Sequence, residues 1–153
     1  ALPISRLSQD FRCSDLVSSL QEERMAERSR QIFTARAPAP VGPYSQALER
    51  GGMLFVSGQL GMATESGEMA AGVEEQTRRA LQNLTAVVES AGYHMTDLIK
   101  TTCFLANMDD FPVFNGIYGE FVGDPPPARS CVAVRTLPKG ALVEVEAIAV
   151  KPE

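Results

Sequence analysis

The chain has 153 residues, 44% of them hydrophobic and 22% charged, and a net charge of −5, the length and balance of one globular domain. No run approaches the roughly 20 apolar residues a membrane-spanning helix needs. No Lys/Arg cluster offers the phosphate contacts on which nucleic-acid binding rests, so neither a membrane nor a nucleic acid is an expected partner.

Residues 1–30 differ in character from the rest of the chain. They hold five Arg and five acids, whereas residues 31–153 hold nine basic and fourteen acidic residues and carry the whole −5. Ile4, Leu7, Phe11, Leu16, Val17 and Leu20 fall near helical spacing. The stretch reads as an N-terminal extension, 1–30, ahead of a domain at 31–153, with residues 1–24 outside the fold. The expected location is cytoplasmic. An organelle address, mitochondrial or plastid, is the alternative, against which the interspersed acids argue. Three cysteines, Cys13, Cys103 and Cys131, show no paired spacing, which points to a reducing compartment rather than a disulfide framework. With one histidine, His94, and no CxxC or HxxxH, no metal site is expected.

The predicted elements run in chain order. Gln31 to Thr34 is a short strand, and Ala35 to Pro43, with three prolines and a glycine, an irregular loop. Tyr44 to Glu49 and Met53 to Ser57 are strands joined by a turn at Arg50-Gly51-Gly52. Gly58 lets backbone or ligand come close. After a loop from Leu60 to Gly72, an apolar stripe of Val73, Thr77, Ala80, Leu81, Leu84, Val87, Val88 and Ala91 predicts the longer helix. Glu74 and Glu75 suit its first turn and Gly92 its exit. Asp97 to Leu105 is a strand apolar or small on both faces, hence central, with Cys103 in the core. A second helix starts near Asp109 or Asp110, with Pro112 in its first turn, and buries Phe111, Phe114, Ile117, Tyr118 and Phe121. Two last strands, about 129–135 and 142–150, flank a turn at Leu137-Pro138-Lys139-Gly140. His94 reads as a solvated loop residue. Two helices can cover only one face of about six strands, so an apolar face carrying Ile148 and Val150 is left for another copy of the chain.

Period 2 puts Arg129 and Cys131 on one face of their strand, and Glu144 and Glu146 on one face of theirs. Charges on strands this apolar need compensation. An internal Arg129–Glu144 ion pair would supply it. So would a small anion held by Arg129 while Glu144 handles a proton. The glycines make neither GxGxxG nor GxxxxGK[ST], so nucleotide binding has no support.

Taken together, Gly42-Pro43-Tyr44-Ser45-Gln46-Ala47, Ser57-Gly58-Gln59, Lys100-Thr101-Thr102, Asn115-x-x-Tyr118, Pro127-Ala128-Arg129-Ser130-Cys131-Val132, Leu137-Pro138-Lys139 and Glu144-Val145-Glu146-Ala147 resemble the RidA family, the reactive intermediate deaminases also called YjgF. The resemblance spans about residues 31–151. It implies a chorismate-mutase-like α+β protomer: a six-stranded mixed sheet with two helices on one face. It also implies a homotrimer, a trimeric barrel with active sites in the clefts between subunits. The implied activity is that of a 2-iminobutanoate/2-iminopropanoate deaminase, hydrolysing 2-imino acids or their enamine tautomers to 2-oxo acids and ammonia. Carried over by position, Arg129 clamps the substrate carboxylate and Glu144 activates water and manages protons. The Cys131 main chain would contact the imine nitrogen or its water, while Tyr44, Ser57, Gly58 and Asn115 line the pocket, partly from a neighbouring subunit. No metal or organic cofactor is required, because a protonated imine is already electrophilic. The alternatives are a non-catalytic trimeric protein that binds small carboxylates or acts as a chaperone, and a ribonuclease or translation inhibitor, which the −5 charge disfavours.

Overall fold

A computed structural model describes residues 28–151 and, before them, Val17 alone. The helical turns expected within residues 1–24, apart from Val17, and Cys13 lie outside the described residues. Six strands, β1 (Arg30–Ile32), β2 (Ala47–Arg50), β3 (Met53–Leu60), β4 (Leu98–Leu105), β5 (Ala128–Ala133) and β6 (Val143–Val150), form one sheet in the order β1-β2-β3-β6-β4-β5. All neighbours are antiparallel except β4 and β5, so the sheet is mixed. Among the described residues, the helices α1 (Gly72–Ser90) and α2 (Phe111–Phe121) cover one face. The sheet is open within the chain, with β1 and β5 at its edges. One chain therefore forms no closed barrel.

Side-chain alternation explains the layering. Along β6, Val143, Val145, Ala147 and Ala149 are buried against the helices, whereas Glu144, Glu146, Ile148 and Val150 point the other way. In α1, Thr77, Ala80, Leu81, Leu84, Val87 and Val88 make the buried stripe, with Glu74 and Glu75 in the first turn. The β2–β3 hairpin turns at Gly51 and Gly52, at φ 58° and 74°, a backbone that glycine adopts without a Cβ penalty.

Two boundaries shift by three residues from the sequence expectation. The strand expected from Tyr44 begins only at Ala47, because Gln46 stitches its segment to the preceding loop. Gln46 Oε1 accepts from Thr34 N (2.7 Å), and Nε2 donates to Thr34 O (3.1 Å) and Pro38 O (2.9 Å). The second helix starts where expected, with Asp110 at its N-cap and Pro112 in its first turn; Asn107, whose Oδ1 accepts from Asp109 N (3.0 Å), caps the 3₁₀ turn at Met108–Asp110 that precedes it. Strand β3 runs on to Leu60 and shifts register between Val56 and Gln59, the irregularity that contains Gly58.

Candidate functional site

The expected site residues gather in two places. The first lies on the helix-covered face at the β5 edge. Arg129 pairs in register with Thr101, and Cys131 with Cys103, so all four side chains share the inward face. Helix α2 presents Phe111, Asn115 and Tyr118 at i, i+4 and i+7, one stripe aimed at that edge. The Arg129 guanidinium carbon lies 4.6 Å from the Tyr118 ring centroid and 5.5 Å from that of Phe111. Arg129 Nη2 donates to Asn115 Oδ1 at 2.8 Å. The buried hydroxyls of Tyr118 and Thr101 share a hydrogen bond of 2.7 Å. Burial pushes the half-buried Cys131 thiol up from its ordinary value, with Arg129 pulling weakly the other way, and pushes Cys103 up to about 12. Both therefore stay protonated thiols near neutrality, which speaks against a thiolate nucleophile.

The second place lies on the open face. A cavity of about 440 Å³ is lined by Tyr44, Ser57, Gly58, Leu60, Met62 and Glu144, among others. Tyr44 is 49% exposed, so it is not a core tyrosine. Ser57 Oγ donates to Ser45 O at 2.6 Å, which leaves the oxygen's lone pairs available to the cavity. Glu144 reaches across from β6 and fills the space where a side chain on Gly58 would stand. A Cβ there would come within 2.7 Å of Glu144 Cδ and closer still to Oε1. Burial, and secondarily the neighbouring Glu146 carboxylate, raise Glu144 above the usual carboxylate range. Pro138 and Lys139 close one side; Lys139, at φ 56°, is the only non-glycine among the described residues in the left-handed region.

The structure brings Tyr44, Ser57, Gly58 and Glu144 together at one place and Arg129, Asn115 and Cys131 at another. Sequence reasoning did not separate the two groups, which one chain holds on opposite faces of its sheet. The internal Arg129–Glu144 ion pair is not formed: among the described residues neither side chain has an ion-pair partner. Phe111 and Tyr118 were expected only as core. Their shared spacing with Asn115 was the available signal, but the same spacing also serves burial. His94 is exposed, with Asp97 beside it, and belongs to neither group.

A family model described as Endoribonuclease L-PSP matches residues 34–151. A protein of the mite Dermatophagoides farinae named 2-iminobutanoate/2-iminopropanoate deaminase is 45% identical over 122 residues, 79% of this chain and 95% of that one. The crystal structure of Escherichia coli TdcF with bound serine superposes with a TM-score of 0.77 at 41% identity, covering 80% of this chain and 99% of that one. That of RidA from the Antarctic bacterium Psychrobacter sp. PAMC 21119 gives 0.78 at 38% identity, covering 80% and 99%.

Proposed function

Because the chain belongs to the Endoribonuclease L-PSP family, the YjgF/RidA proteins, we propose that it is a deaminase that hydrolyses small 2-imino acids, 2-iminopropanoate and 2-iminobutanoate among them, to 2-oxo acids and ammonia. The observation that carries the reading is the division of the chemistry. A guanidinium with no acidic partner among the described residues sits at one edge and a poised carboxyl in a cavity on the other face, each incomplete alone. A homotrimer that brings the β5 edge of one copy to the Glu144 cavity of the next would complete the site.

In that site Arg129 holds the substrate carboxylate with its remaining N–H donors, a bidentate grip that a lysine cannot reproduce. Glu144, as carboxylate, takes a proton from a water that attacks the imine carbon. The C–O bond forms as the C=N π electrons of the protonated imine move to nitrogen, giving a neutral carbinolamine. Glu144 then returns the proton to that nitrogen and, again a carboxylate, takes the hydroxyl proton as the C–N bond breaks, ammonia leaves and the carbonyl of the 2-oxo acid forms. The raised affinity of Glu144 for a proton suits both halves of this cycle. Cys131 contributes its main chain, and Tyr44, Ser57 and Gly58 shape the wall. The chemistry needs no metal or organic cofactor. The free thiols of Cys103 and Cys131 suit a reducing compartment, which we take to be the cytoplasm.

Generating 2-iminopropanoate in situ with an amino-acid oxidase tests the reading. Wild-type protein should speed the appearance of 2-oxo acid, and Arg129→Ala should lower kcat/KM by about 100-fold or more, the loss of a charge-assisted bidentate contact, with the oligomer intact. Keto acid forming no faster than in buffer would instead favour a protein that binds carboxylates without turnover.

A further inference from the structure

Among the described residues, three surface arginines are held by acids: Arg30 pairs with Glu49, Arg36 with Glu89 and Arg78 with Glu120. Arg129 is held differently. Two aromatic rings and one amide oxygen contact it, and none of the three carries a charge. The difference has a physical consequence. A carboxylate partner would orient the guanidinium but would also compete with an incoming anion for it. An aromatic face attracts the cation through its quadrupole and leaves the in-plane N–H donors free. The seat itself is fixed. Tyr118 is buried on the inward side of α2, and its hydroxyl is tied to Thr101, the residue directly beside Arg129 on β4. One hydrogen bond therefore sets the ring against the strand pair that carries the arginine.

We propose that Tyr118, anchored by Thr101, is the positioning residue for Arg129, and that with Phe111 it forms a neutral platform that presents the guanidinium to carboxylates before any ligand arrives. The proposal rests on Arg129 being the carboxylate clamp. It adds that the side-chain freedom an exposed arginine would lose on binding has already been given up in the free protein.

The probe is 2-oxobutanoate, titrated by calorimetry into the assembled protein, alongside imine turnover and melting temperature. Tyr118→Leu should weaken 2-oxobutanoate binding about 2- to 30-fold, the span expected of a cation–π contact. KM should rise in parallel while kcat changes by less than about twofold, because the carboxylate is held alike in ground and transition states. Tyr118→Phe keeps the ring and should keep the affinity, although it lowers the melting temperature by leaving the Thr101 hydroxyl without its partner. A residue that served the core alone would lower stability without touching KM. Wild-type affinity in folded Tyr118→Leu, or equal weakening in Tyr118→Phe, overturns the proposal. Should Tyr118→Leu fail to fold, Phe111→Leu at the more exposed rim decides: at least twofold weaker binding supports the platform, and unchanged affinity overturns it. If 2-oxobutanoate binds with the predicted dependence on Tyr118 but no imine is turned over, the platform stands and the deaminase reading falls. If turnover is present and affinity ignores Tyr118, the reverse holds. A wild-type protein that binds no 2-oxobutanoate removes the platform as well.

Discussion

Gly58 decides where the Glu144 carboxyl can sit. Any Cβ at position 58 would occupy the space of Glu144 Oε1 and Cδ, so Gly58→Ala must push that carboxyl out of its place over β3. A proton-handling group moved by about an ångström can cost roughly 100-fold in rate. Gly58→Ala should therefore lower kcat by about that factor while leaving the Arg129 side of the site, and with it carboxylate affinity, nearly unchanged. The titration of Glu144 gives a second test. The charged and titratable groups lining its cavity are Tyr44, Lys139 and Glu146, and burial together with Glu146 holds its affinity for a proton above the ordinary 4.5. The folded chain thus binds this proton more tightly than the unfolded chain. The group's contribution favours the fold below the unfolded value and is lost as pH rises through the folded value. Glu144→Gln should consequently melt higher than wild type at neutral pH, and the gap should close as pH falls toward 4.5. In the proposed reaction the ionised form is needed, so the acid limb of kcat should lie above the usual carboxylate range. Because a bound substrate carboxylate neutralises Arg129, kcat, which reports the substrate complex, is the parameter to follow. Glu146→Gln should move that limb to lower pH.

At the scale of elements, α1 does more than cover the sheet. Its buried Asn83 donates to Leu60 O (2.9 Å) and Met62 O (3.0 Å), and Gln76 bridges Ala70 O (2.9 Å) and Leu142 N (2.7 Å). The helix thereby fixes the end of β3, the loop after it and the entry to β6, which are the walls around Glu144. Gly61 lies against the α1 backbone at Gln76, where an added Cβ would overlap main-chain atoms that cannot swing aside. Gly61→Ala should destabilise the fold by about 1–3 kcal/mol, as overpacking does, measured by denaturant midpoint, and should loosen the cavity wall. Such contacts mark the limit of what the chain reveals by itself. The α1 stripe and the alternation of β6 are local periodicities, so both elements could be read directly from residue order. The delayed start of β2 depends on Gln46 finding partners at Thr34 and Pro38, and the surroundings of Gly58 on the approach of Glu144 from β6, and no local pattern records either. The site behaves in the same way. The resemblance pointed to Arg129, Asn115 and Glu144, but the opposite facing of the two groups follows from strand order and from the parallel β4–β5 pairing, which period 2 leaves undetermined.

At the scale of the whole molecule, the open face calls for a cover. Leu48, Phe55 and Ile148 stand in register across β2, β3 and β6, with Leu48 41% and Phe55 45% exposed, a row that water-facing sheets seldom keep bare. The Glu144 cavity opens on this same face, and the unpaired rim of β5 lies at the far edge beside Arg129. If copies close a ring that brings the edge of one to the cavity of the next, each site takes its arginine from one chain and its glutamate from another. Arg129→Ala and Glu144→Gln should then each be inactive alone. Co-refolded in equal amounts, they should regain activity, because some contacts unite an intact Arg129 from one variant with an intact Glu144 from the other. For random assembly of independent sites the recovery should be roughly a quarter of wild type. A site built within a single chain would recover nothing, since every chain in the mixture lacks one of the two groups. The measurement therefore separates a shared site from a self-contained one without any knowledge of which imino acid is preferred.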